Sequence, residues 1–111
     1  MIIATRMLKL RGEKCDIEIL IRIFAPEQSS DSAWLCRYEI NWPEEKWTSY
    51  AGGIDSAQAI TLALQKIGTE IYFGDYHKSG NLFWESPGKG YGFPLPPSAR
   101  DLLIGDDAKF F

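Results

Sequence analysis

The sequence predicts an α+β fold, in which a four-stranded antiparallel sheet is followed by one long helix that packs on one face of the sheet. Three observations support this fold class. Apolar and polar residues alternate in several runs over the first half of the chain, which is typical of strands with one buried face. Short loops separate these runs, so consecutive strands are expected to pair as a meander. After Gly52-Gly53 the apolar period changes to that of a helix.

Length and composition indicate one globular domain over residues 1–111. A chain of 111 residues buries about two thirds of its unfolded surface without help from a metal or a disulfide. Hydrophobic residues make up 45% and charged residues 24%, which are ordinary values for a globular domain. The two cysteines, Cys15 and Cys36, fall in alternating apolar runs and are too few for a disulfide framework, so we expect reduced and buried thiols.

The four strands are predicted over residues 2–10, 15–24, 34–42 and 47–51. The first strand has apolar residues at every second position apart from Arg6. The second is rich in β-branched residues, and its core face is expected to contain Cys15, Ile17, Ile19, Ile21 and Ile23. The Pro/Ser-rich residues 25–32 are expected to form a loop.

The long helix is predicted to begin at Asp55. This residue is an N-cap type, and Gln58 three residues later completes a capping-box spacing. Apolar residues then recur at spacings of three and four: Ala57, Ile60, Leu64, Ile67 and Ile71. The helix extends at least to Tyr72, and either Gly74 or Gly80 ends it.

The last third of the chain has a mixed character. Residues 81–97 contain too many glycines and prolines for regular structure, yet they are too apolar for a free linker, so we expect an ordered loop. A second capping-box spacing, from Ser98 to Asp101, predicts a short helix through Leu103. The adjacent carboxylates Asp106 and Asp107 are expected to lie in a solvated tail.

Nucleic acids and membranes are not expected partners. The stretch from Lys89 to Phe93 resembles the start of an RNA-binding signature, but Pro94 lacks the N–H group that a central strand needs. The net charge of −3 also repels phosphate. The sequence shows no long apolar span and no export signal, so we expect a cytoplasmic protein.

No set of residues with catalytic spacing is visible, and no cofactor or metal site is predicted. His77 is the single histidine and has no partner at a metal-ligand spacing. A small-ligand site, conceivably enzymatic, is the alternative hypothesis, between the end of the long helix and the Gly/Pro-rich loop. It would use Tyr72, Tyr76, His77, Lys78, Asn81, Trp84 and Tyr91.

The favoured hypothesis is a non-catalytic protein-interaction or regulatory module. If the helix covers one face of the sheet, the opposite face carries a mixture of apolar and charged side chains that suits a partner protein. These residues are Leu20, Arg22, Phe24, Arg37, Glu39, Thr48 and Tyr50. A partner protein, a second copy of the chain, or residues 81–97 would cover this face.

Three segments of the C-terminal half carry a family resemblance. The stretches YHKSGNLFW (76–84), GYGFP (90–94) and GDDAKFF (105–111) resemble a family of short bacterial proteins of unknown function. The resemblance implies a bacterial, cytoplasmic protein and no particular activity. Together with the acidic composition, the lack of a catalytic set favours a protein similar to the small acidic immunity proteins that neutralise bacterial toxins.

Overall fold

A computed structural model describes all residues, 1–111, and has a mixed α/β architecture with a six-stranded antiparallel sheet. The strands are β1 (Ile2–Leu10), β2 (Ile17–Phe24), β3 (Glu27–Gln28), β4 (Trp34–Asn41), β5 (Lys46–Gly53) and β6 (Leu82–Phe83). The helices are α1 (Ser56–Tyr72), α2 (Asp75–Lys78), a 3₁₀ helix (Pro97–Leu102) and α3 (Gly105–Phe110).

The long strands pair in chain order, β1 with β2, β2 with β4 and β4 with β5. The sheet has more strands than the four predicted, because the predicted loops 25–32 and 81–97 each contribute a strand of two residues. β3 pairs with Trp34 and Leu35 of β4, and β6 pairs with Lys9 and Leu10 of β1. Two-residue strands show no alternation, so the sequence pattern could not reveal them.

One face of the sheet, called the inner face, contributes most of the hydrophobic core. Its buried side chains come from all four long strands: Leu8, Ile19, Ile21, Ile23, Cys36, Tyr38, Ile40 and Ala51. The predicted core face of β2 is confirmed at Ile19, Ile21 and Ile23 and is wrong at the start of the strand. Ile17 is 45% exposed, and Cys15 lies exposed in the turn before β2. Ile17 lies at the start of β2, beyond the residues 21–23 that pair with β4.

α1 covers the inner face at β4 and β5. The side chain of Asp55 accepts a hydrogen bond from the Gln58 N–H at 2.8 Å, as the capping spacing predicts, and the Gln58 side chain accepts one from the Ile54 N–H at 2.7 Å. Ile67 and Ile71 are buried as predicted, but Ala57 is exposed. Instead, Ala59 and Ala63 lie buried in the core, where their small side chains allow close approach to the sheet.

The C-terminal third covers the rest of the inner face. α1 ends at Tyr72, before Gly74, and Gly80 follows α2. Tyr91, Phe93 and Leu95 are buried in the same core cluster. A 3₁₀ helix takes the place of the predicted short helix, and the tail that was predicted to be solvated forms α3. None of the helices combines the length and apolar composition that crossing a bilayer requires.

The contribution of α1 can be measured with Ile67→Ala. Ile67 is fully buried between α1 and the sheet, so removing three carbons leaves a cavity and should lower the free energy of unfolding by about 3 kcal/mol. The matched control is Ile54→Ala, because Ile54 is 85% exposed and should change stability by less than about 0.5 kcal/mol. Urea denaturation measures both, and equal effects would contradict this packing.

Candidate functional site

Asp107 is the centre of the polar network in the C-terminal third. Its side chain is only 2% exposed, which corrects the prediction of a solvated tail. The carboxylate accepts hydrogen bonds from the Tyr72 hydroxyl at 2.5 Å, the Tyr91 N–H at 2.8 Å and the Gly92 N–H at 2.8 Å. A buried carboxylate requires such donors, because burial otherwise disfavours its charge. These bonds join α1, the glycine-rich loop and α3.

Two glycines let the loop approach Asp107 and Arg6 closely. Gly90 and Gly92 have φ angles of +95° and +76°, which residues with a side chain rarely adopt. A Cβ atom on Gly90 would lie 2.5 Å from the Asp107 carboxyl carbon, and one on Gly92 would lie 2.5 Å from Arg6 Nη1. The stretch that resembles an RNA-binding signature is therefore a turn that wraps around a carboxylate and a guanidinium.

Arg6 holds the other side of the same loop. Its Nη1 group donates to the carbonyl oxygens of Tyr91, at 3.2 Å, and Gly92, at 2.8 Å. The guanidinium carbon lies 4.0 Å from the ring centroid of Trp84 and 4.8 Å from that of Phe93. Burial lowers the pKa of Arg6, against the opposing effects of Asp107 and Glu85. Arg6 is the residue that interrupted the apolar alternation of β1, and this interruption was the signal of its role.

Tyr72, His77 and Tyr91 form a compact aromatic cluster at the end of α1. Their ring centroids are 4.9–5.5 Å apart. The Tyr91 hydroxyl lies 2.5 Å from Nδ1 of His77. Burial, aided by the Asp107 carboxylate, raises the pKa of Tyr91 to about 12, so its hydroxyl keeps its proton. That hydroxyl also lies 3.4 Å from the Leu82 carbonyl oxygen, and the imidazole tautomer sets the direction of its bond with His77. The hydroxyl of Tyr72 is held by Asp107, and its pKa is raised by burial and by that bond.

Tyr76 lies apart from this cluster. Its ring stacks on Trp42 with centroids 5.2 Å apart, and its hydroxyl bonds to Glu44, which raises the pKa of Tyr76 to about 12. The adjoining hollow of about 230 Å³ is acidic, since its other lining residues include Glu45, Glu70 and Asp75.

The predicted ligand residues are therefore divided among separate places. Tyr72, His77 and Tyr91 come together, whereas Tyr76 lies beside Trp42 and Trp84 lies beside Arg6. The Lys78 side chain makes no ion pair. The backbone carbonyl oxygen of Asn81 accepts a hydrogen bond from the backbone N–H of Arg11 at 2.8 Å. Sequence reasoning missed Arg6 and Asp107 as members of this region.

The predicted partner surface lies on the face of the sheet opposite α1, which we call the outer face. The alternation along β2 and β4 places Leu20, Arg22, Phe24, Arg37 and Glu39 there, and Thr48 and Tyr50 lie opposite Glu39 and Arg37 on β5. α1 and residues 81–97 contribute their buried residues to the core on the inner face, and they reach the outer face only at its edges. Lys66 Nζ of α1 lies 5.7 Å from the Tyr50 ring centroid, and Phe83 pairs with Lys9 beside β1. Tyr50 is 54% exposed.

Metal ligands do not cluster anywhere in the chain. No group of three or more His, Cys, Asp or Glu side chains has the proximity needed to hold a metal ion. Cys15 and Cys36 are both free thiols.

Comparison with known sequences gives one family. The family described as a domain of unknown function (DUF6968) matches residues 4–95, and neither a curated protein nor a solved structure matches the chain. The expectation of a family without an assigned activity is confirmed, while the bacterial origin stays a prediction. The matched range ends before α3, so Asp107 lies outside it.

The Asp107 anchor can be tested by Asp107→Asn. The amide nitrogen cannot accept the hydrogen bonds that a carboxylate oxygen accepts, so at least one buried donor loses its partner and stability should fall by about 2 kcal/mol. Hydrogen exchange over residues 105–110 should also accelerate. The control is Asp106→Asn, whose exposed ion pair with Lys109 should contribute less than about 1 kcal/mol. Equal protection and stability in the two variants would argue against the anchor.

The protonation of His77 should make stability depend on pH. Burial lowers the pKa of His77 below its ordinary value of 6.5, so the unfolded chain binds the proton more readily than the folded chain. The stabilising contribution is therefore complete above pH 6.5 and is lost as pH falls through the lower folded value. Urea denaturation between pH 7 and pH 5 should show this decline, and His77→Gln should flatten it. An unchanged slope in the variant would refute the role of His77.

Proposed function

The chain belongs to the DUF6968 family, a domain of unknown function, and from this premise we propose that it is a bacterial, cytoplasmic, non-catalytic protein-interaction module. The observation that carries the proposal is the uncovered outer face. The elements that follow β5 bury their apolar residues in the core on the inner face, so the middle of the outer face is left free to bind a partner.

The chemistry of the outer face favours a partner with an apolar patch and a polar rim. Apolar side chains at Met7, Leu20, Phe24 and Tyr50 are half-buried or exposed on this face. Its charges largely neutralise one another. Arg22 and Lys46 both pair with Glu39, at 3.4 Å and 3.7 Å, and Arg37 pairs with Glu27 at 3.3 Å. A highly charged partner would gain little from such a surface.

The non-catalytic part of the proposal is supported by the way the titratable groups are used. The hydroxyls of Tyr72 and Tyr91 are engaged by Asp107 and by His77, and so they tie structural elements together. The residues predicted for a small-ligand site do not surround one cavity. The small-ligand alternative therefore remains a proposal only for the separate places where these residues lie.

The outer face can be tested with the double variant Thr48→Lys/Tyr50→Lys. Each product of the genes adjacent to its own would be purified and titrated against the protein. We expect one product to bind at about micromolar concentration or tighter. The double variant should weaken that binding at least about tenfold, since it removes an exposed aromatic contact and adds charge.

Two controls make this test decisive. Ile54→Lys changes a residue in the β5–α1 turn that is more exposed than Tyr50, 85% against 54%, and should leave binding unchanged. Light scattering of the protein alone measures its mass, which distinguishes a second copy from a different partner. A monomer that binds no neighbouring gene product at micromolar concentration would refute the proposal, as would equal binding by the double variant and the wild type.

A further inference from the structure

Two adjoining hollows beside Trp84 lie apart from the aromatic cluster at the end of α1. Two hollows of about 450 Å³ and 340 Å³ share Arg6, Trp84 and Glu85 as lining residues, and we call them together the Trp84 groove. The first hollow extends along β1 to Lys9 and Phe83. The second is bounded by the glycine-rich loop and by the end of α3. Volumes of this size suit small organic molecules.

Arg6 has hydrogen-bonding capacity left over in this groove. Its Nη1 group is fully used by the two loop carbonyls, whereas Nε and Nη2 make no hydrogen bond. A buried side-chain polar atom without a hydrogen-bond partner occurs only at the Tyr38 hydroxyl. Since Nε and Nη2 of Arg6 also lack partners, they are not buried and are reached by solvent. Nε–H and Nη2–H are parallel donors on one edge of a planar group. This edge matches the two oxygens of a carboxylate or a phosphate.

The charges around the groove favour an anion, although the whole chain is acidic. Arg6, Lys9 and Lys89 line it, and none of them forms an ion pair. Of the acidic residues, Asp107 is saturated by three donors and Asp106 pairs with Lys109 at 3.6 Å. Asp107 and Glu85 both attract Arg6 by their charge, so two carboxylates lie near the three cations that form no ion pair, and one positive charge is left in excess.

Aromatic rings form part of the walls of the groove. Trp84 lies between the hollows, Phe83 lines the first, and Phe110 and Phe111 line the second. Both C-terminal phenylalanines are exposed, and Phe110 is 78% exposed. Exposed aromatic rings next to unpaired cations suit a ligand that carries an apolar ring as well as a negative charge.

We propose that the Trp84 groove binds a small aromatic anion, whose carboxylate or phosphate group is held by the Nε–Nη2 edge of Arg6. The ring of the ligand lies against Trp84 and the neighbouring phenylalanines. Lys9 or Lys89 adds long-range attraction, according to which hollow the anion occupies. Met7 of the outer face also lines the first hollow, but Thr48 and Tyr50 lie on β5, which β4 and β2 separate from β1. Thr48→Lys/Tyr50→Lys should therefore leave binding in the groove unchanged.

The ligand chemistry can be tested with three probes: benzoate, phenyl phosphate and benzamide. We expect benzoate or phenyl phosphate to shift the NMR signals of the Arg6 Nε–H and the Trp84 indole N–H in a saturable way. The stronger of the two identifies the preferred anionic group. Benzamide has nearly the shape of benzoate without its charge, and it should bind at least about tenfold more weakly, the effect of losing a charge-assisted bond. Equal binding of benzamide, or no shift at Arg6, would overturn the proposal.

Variants then test the role of the individual cations. Arg6→Lys keeps the charge but loses the parallel donors, so affinity for the preferred anion should fall about tenfold. Because Arg6 also holds the loop, Lys9→Met and Lys89→Met provide a test that leaves the loop bonds intact. At least one of them should weaken binding about two- to threefold and reduce its salt dependence. The control Lys78→Met should bind normally. Unchanged binding in both Lys9→Met and Lys89→Met would contradict the charge argument.

Discussion

The buried carboxylate of Asp107 determines how the C-terminal third of this protein is arranged. It accepts three hydrogen bonds from donors that lie 35, 16 and 15 residues away in the chain. A carboxylate without such donors would not stay charged and buried. Without the carboxylate, the N–H groups of the loop would have no hydrogen-bond acceptor. The positions of α3, the glycine-rich loop and the end of α1 therefore depend on one another.

Arg6 complements this anchor from the sheet. Asp107 binds two N–H groups of the glycine-rich loop, while Arg6 binds two of its carbonyl oxygens, so the loop is held by opposite charges on opposite sides. The loop can then bury Tyr91 and Phe93 over β1 and β2, where α1 does not reach. The inner face is thereby closed, and the outer face is left free. The groove beside Trp84 arises from the same arrangement, because the loop forms one of its walls.

The predictions from sequence were accurate where a periodic pattern was long. The alternation in β2 identified Ile19, Ile21 and Ile23 as core residues, and the capping residue Asp55 located the start of α1. Elements without a period were missed, namely β3, β6 and α3. At the candidate sites, the aromatic residues were noticed by type, but their grouping was not predictable. Tyr72 and Tyr76 are four residues apart, yet a helix boundary between them sends the two rings to different neighbours.

The sequence by itself determined the strand and helix periods and the buried face of the long inner strands. These properties are local, because a period of two or of 3.6 residues fixes which side chains share a face. Only the tertiary structure decided which polar groups meet across the chain. Arg6 and Gly92 are 86 residues apart, and Asp107 looked like part of an acidic tail. A hydrogen bond between distant residues depends on the path of the backbone between them, and no local pattern contains that path.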